Sequence, residues 1–97
     1  MLTAAAVRRR TRALGDLQKA MGAARFFKTA PGEYGAGDRF LGIRVPDLRR
    51  LARQYQDLPL VEVLPLLKSP WHEERVLALL ILVRQYGRAD DRGRASI

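Results

Sequence analysis

Eight consecutive apolar residues, Val76-Leu77-Ala78-Leu79-Leu80-Ile81-Leu82-Val83, lie in the last third of this 97-residue chain. Ser69-Pro70 upstream is a helix-start signal, a capping side chain followed by a proline with preset φ, and Gly87 downstream is a stop signal. The run therefore predicts a helix ending near Tyr86 that is apolar nearly all round, and such a helix is buried on more than one side. Only about four other helical segments are present to cover it. Part of its surface is expected to meet further helices of a longer chain or a partner, with self-association through the uncovered face as one outcome. The run is far short of the roughly 20 apolar residues of a membrane span.

The segments that must cover this helix can be read in order. Val7, Leu14, Leu17, Met21 and Ala24 recur at near-helical spacing, with Arg8, Arg9, Arg10, Arg12, Lys19 and Arg25 between them. An Arg-rich, acid-poor start also matches the character of an organelle transit peptide. The apolar spacing favours a first helix instead, with Thr3 as its N-cap. From Thr29 to Gly42 both helical and strand periods stop at Pro31, Gly32, Gly35, Gly37 and Gly42, which marks a loop. Helix resumes at Val45-Pro46-Asp47, where a proline and an acidic residue suit the first turn. Val45, Leu48, Leu51, Ala52 and Tyr55 form its apolar stripe. A further short helix, Leu60 to Leu67, is apolar over most of its circumference, and Pro65 should kink or shorten it.

No segment shows the alternation of a half-buried strand. Short helices joined by short turns, each apolar on one face or more, predict an all-α stack of antiparallel pairs of the helical-repeat kind. Residues 1–87 make the expected domain, and 88–97 a charged tail expected to be disordered.

Charge narrows the function classes. Eighteen basic residues against ten acidic ones give a net charge of +8, which favours a polyanion or an anionic surface as partner. A solvated basic face is the rival account. The absence of cysteine removes disulfides and thiolate metal sites. His72, Glu73 and Glu74 do not make a zinc-protease pattern, because Val76 stands where a second histidine is required. Carboxylates at a helix start are more simply dipole partners, free to pair with Arg75 or a neighbouring helix, and Trp71 reads as packing. The glycines at 32, 35 and 37 lack the strand and Gly-Lys-Ser/Thr of a phosphate loop, and read better as a connector that lets backbone approach another surface. The basic set that remains, Lys28, Arg39, Arg44, Arg49, Arg50 and Arg53, surrounds the loop and the helix after it, where side chains and helix-start amides can hold phosphates.

Two ordered stretches then carry a resemblance. Phe-Phe-Lys-Thr-Ala-Pro-Gly-Glu-Tyr-Gly-Ala-Gly-Asp-Arg-Phe-Leu-Gly-Ile-Arg-Val-Pro-Asp-Leu-Arg (26–49), followed by Leu-Leu-Lys-Ser-Pro-Trp-His-Glu-Glu-Arg-Val-Leu-Ala-Leu (66–79), resembles the N-terminal part of DNA alkylation repair proteins. These are HEAT-like helical-repeat DNA glycosylases that remove alkylated purines. The resemblance implies an α-solenoid fragment of about five helices, a concave basic surface for alkylated duplex DNA held through its phosphate backbone, and no metal or organic cofactor. It also implies a cytoplasmic, nucleoid-associated location.

The family's catalytic aspartate lies in a Trp-Asp-x-Val-Asp-like motif on a later helix, and nothing in this sequence matches it. Trp71 is followed by His72-Glu73-Glu74, part of the earlier motif, so no catalytic residue is carried over. The expectation is a DNA-binding N-terminal portion without the catalytic half. The alternative is a helical scaffold that docks a protein through the Leu60 to Val83 surface.

Overall fold

A computed structural model describes residues 2–26 and 37–96. Among the described residues it is all-helical, with α1 Ala4–Ala13, α2 Leu17–Phe26, α3 Val45–Gln54, α4 Leu60–Leu67 and α5 His72–Ser96. The one extended feature is an isolated parallel bridge between Arg39 and Trp71.

Helix α5 is the axis of the fold. Helix α3 packs along it in parallel, because the segment before α3 is tied to the start of α5 while Gln85 donates to the Gln56 and Leu58 carbonyls beyond the end of α3. Helix α4 returns antiparallel to α5, and α1 packs beside α4. The core where they meet includes Val7, Leu48, Leu51, Leu58, Val63, Leu66, Leu77 and Ile81, all nearly or fully excluded from solvent. Burying each such side chain stabilises the fold by about 1.5–3 kcal/mol.

The start and stop signals are partly right, and each departure has a local cause. Thr3 caps α1, accepting from the Ala6 amide at 3.1 Å. The single first helix expected from the Ala/Arg-rich pattern is two helices, broken at Gly15-Asp16. The Asp16 amide leaves the helical path to donate to the Leu41 carbonyl at 2.9 Å, and the Asp16 carboxylate accepts from the Lys19 amide to start α2. Leu14, Leu17 and Met21 are consequently exposed instead of sharing one buried stripe with Val7. On α3 the stripe holds from Leu48 to Tyr55, but Val45, at the first turn, lies outside it.

Helix α4 ends two residues after Pro65, whose carbonyl accepts from Arg8 Nη2 at 3.0 Å. Helix α5 begins at His72, two residues later than Ser69-Pro70 suggests, because Trp71 is engaged with Arg39. Ser69 still acts as a cap, accepting from the Trp71 amide at 3.0 Å. The helix also passes through Gly87 and continues to Ser96, where a charged disordered tail was expected. Gly87 does not have the positive φ that a left-handed stop needs. Arg88 anchors the next turn, donating to Asp57 Oδ1 and to the Gln56 carbonyl, each at 2.9 Å.

Candidate nucleic-acid interface

The segment from Gly37 to Arg44 is the described end of the glycine-rich stretch, and it crosses the starts of α2, α3 and α5 as a strap. Gly42, at φ 83°, occupies the left-handed region that favours glycine. A Cβ there would overlap the Asp16 carbonyl oxygen and come within 2.7 Å of the Ala20 nitrogen. Gly42 thus lets the strap's backbone lie against the start of α2, the close approach expected of this loop. Gly32, Gly35 and Lys28 lie outside the described residues.

Two buried carboxylates on the first turn of α5 hold this corner together. Glu73 accepts the amides of Leu41 and Gly42, each at 2.8 Å, and of Ile43 at 3.2 Å. Glu74, fully buried, accepts from Ser69 Oγ at 2.6 Å and Arg12 Nε at 3.0 Å. Arg8 Nε lies 3.5 Å from Glu74, close enough for an ion pair. Glu74 thus pairs with a neighbouring helix, one of the partners expected, whereas Glu73 takes the amides of the strap, which the sequence did not announce. Arg75, though, pairs with neither.

Arg75 instead donates to the Asp38 carboxylate, whose other oxygen lies 3.3 Å from His72 Nδ1. Partial burial pushes the Asp38 carboxyl upward. The hydrogen bond and charge of Arg75, the Arg39 amide and His72 outweigh it, so the group sits below the usual carboxylate range. The His72 ring stacks at a tilt on Phe40, 4.7 Å between centroids. Among the described residues, no group of three or more His, Asp or Glu side chains converges in a way that suits a metal ion.

The basic residues predicted to form one set divide among three places. Arg39 and Arg44 are exposed on the strap, Arg44 as the N-cap of α3. Arg50 turns toward α1, where it shares a shallow groove with Arg10 and lies 3.4 Å from Asp47. Arg49 and Arg53, one helical turn apart, face the other way and line a groove of about 230 Å³ between α3 and α5. The residue that sequence reasoning missed is Arg84, on the opposite wall of that groove, one turn beyond Leu80. Its position follows from α3 and α5 lying side by side and parallel, which no local pattern announces.

Apolar surface also remains open, as the all-round apolar run implied. Leu79, Val83 and Tyr86 on α5 are more than half exposed, Val83 at the edge of the α3–α5 groove, and so are Leu60 and Val61 on α4. Among the described residues no helix is long and apolar enough to cross a membrane.

Comparison with curated proteins and with solved structures gives no match. A family model described as DNA alkylation repair enzyme matches residues 7–95, almost the whole chain and both stretches that carry the sequence resemblance. A match of that extent shows the family, and this chain belongs to the DNA alkylation repair enzyme family.

Proposed function

We propose that this chain is the DNA-engaging portion of an alkylation repair glycosylase, a HEAT-like helical unit that holds alkylated duplex DNA by its phosphates. The observation that supports it most directly is the family match across residues 7–95. The distribution of charge agrees. Arg39, Arg44, Arg49 and Arg53 are exposed and make no ion pair among the described residues, and the exposed Arg50 meets only a half-buried Asp47 at the surface, a kind of pair worth about 0–1 kcal/mol. Together with Lys28 they are the DNA contacts of this proposal. Phosphate contacts of this kind position a protein on DNA without reading sequence. The proposal assigns no catalytic residue to this chain, needs no metal or organic cofactor, and places the protein in the cytoplasm at the nucleoid.

The test is binding of the chain to duplex DNA followed by fluorescence anisotropy over a range of salt. Affinity should fall steeply with salt, with a log–log slope of about −0.9 per phosphate engaged. Arg44→Glu and Arg49→Glu should each weaken it. Release of alkylated purine by the chain itself would refute the assignment of catalysis elsewhere.

The exposed Leu60, Val61, Leu79, Val83 and Tyr86 support a second proposal, a scaffold that docks protein through this face. Salt-insensitive self-association without DNA binding would favour it.

A further inference from the structure

The groove between α3 and α5 differs in kind from the rest of the basic surface. It is lined by Arg49, Arg53 and Arg84 together with Ala52, Leu80 and the exposed Val83 at its edge. None of the six is acidic. None of the three guanidinium groups has an ion pair or side-chain hydrogen bond within the described chain, whereas Arg8, Arg12, Arg75 and Arg88 each meet a carboxylate. The groove on the other side of α3 contains Asp47, which lies 3.4 Å from Arg50 and offsets its charge. Three like charges around one partly apolar channel repel one another, and an anion bound between them relieves that repulsion. Because α3 and α5 are parallel, the channel follows both helix axes. Arg49 and Arg53 are about 6 Å apart along one wall at 1.5 Å rise per residue. An elongated ligand with repeated negative charge fits this shape better than a single compact anion does.

We infer that the α3–α5 groove is a track for one phosphodiester strand of DNA, with Arg49 and Arg53 on one side and Arg84 on the other holding phosphates. The inference rests on the proposed DNA-binding function and narrows it. It brings Arg84 into the contact set and gives Arg49 and Arg53 a common task separate from that of Arg50. Guanidinium forks suit phosphate oxygens, and Leu80 and Val83 in the lining offer apolar contact to the sugars between them.

The test uses the full chain and Arg84→Gln, with Lys68→Gln as a charge-matched control at the exposed end of α4. Anisotropy titrations on several duplex sequences should show Arg84→Gln weakening binding by a similar factor on each, about fivefold or more. The salt slope should fall by about one. Lys68→Gln should leave both unchanged, and circular dichroism should show both variants folded. Unchanged affinity and slope in Arg84→Gln, while the parent chain binds DNA, would overturn the groove and leave the broader function standing.

A second measurement separates the two. Arginine side-chain NMR with inorganic pyrophosphate as probe should shift the Nε–H signals of Arg49, Arg53 and Arg84 together. If the parent chain fails to bind duplex DNA, the proposed function falls, and the strand assignment falls with it even where pyrophosphate still shifts these signals. If pyrophosphate moves other arginines and leaves these three unmoved, the groove is not an anion site.

Discussion

The corner around the first turn of α5 and the groove between α3 and α5 use the same chemical groups to opposite ends. At the corner, Arg8, Arg12 and Arg75 surround the carboxylates of Glu74 and Asp38, and Glu73 takes three backbone amides from the strap. In the groove, Arg49, Arg53 and Arg84 meet no carboxylate among the described residues. Charges at the corner satisfy one another and fix the fold; charges in the groove stay available. The net charge of +8 is therefore not a diffuse property of this surface. Most of the ion pairs among the described residues gather at the start of α5, and the groove keeps an uncompensated excess.

Five substitutions would break or sharpen that contrast. Glu73→Ala should have the largest effect, a loss of about 4 kcal/mol in urea unfolding. It orphans three strap amides, at a cost of about 1–3 kcal/mol for each one left buried without a partner. Its melting temperature should fall by about 15 °C or more. A melting temperature within a few degrees of the parent's would mean that the corner does not hold the fold. Glu74→Gln comes next, at about 2 kcal/mol. The amide still accepts from Ser69 but no longer opposes Arg12, and the half-exposed position of Arg12 screens the loss below that of a fully buried pair.

Asp38→Asn should cost about 1 kcal/mol near neutrality, and it has a pH signature. The Asp38 carboxyl titrates lower in the folded chain than its ordinary value near 3.9. Its contribution is therefore complete above that value and is lost as pH falls through the lower, folded one. Urea midpoints from pH 6 to pH 2 should show a smaller acid decline in the variant than in the parent. Equal declines would remove Asp38 from the set of charges that hold the corner. The smallest effect is expected in the groove. Arg49→Gln and Arg53→Gln should each change stability by less than about 0.5 kcal/mol, as surface changes away from packed features do. A loss above 1 kcal/mol would show that the groove, too, serves the fold.

How much of this was legible beforehand differs between the two regions. Thr3, Pro46 and the apolar stripe of α3 follow from local rules, and the structure bears out an all-α chain. Gly15 was hidden because the apolar spacing runs straight through it. Its role comes from a partner, the Leu41 carbonyl 2.8 Å from where its Cβ would be. Gly87 looked like a stop, but the contacts of Arg88 with Asp57 and Gln56 carry the helix past it. The arginines of α3 could be named, yet their division into Arg50 on one side and Arg49 with Arg53 on the other depends on which helix lies on each flank. Arg84 needed the parallel pairing of α3 and α5. Such pairing is a long-range fact, invisible to any window of sequence.

The Glu73 clamp has a consequence for synthesis on the ribosome. The amides it satisfies lie 30 to 32 residues earlier in the chain. A nascent chain that has emerged only as far as α4 therefore holds three strap donors that still lack the carboxylate that accepts them in the fold. The start of α2 is hydrogen-bonded to that same strap through Leu41. The strap on which α2 starts is therefore complete only once the first turn of α5 can accept its amides.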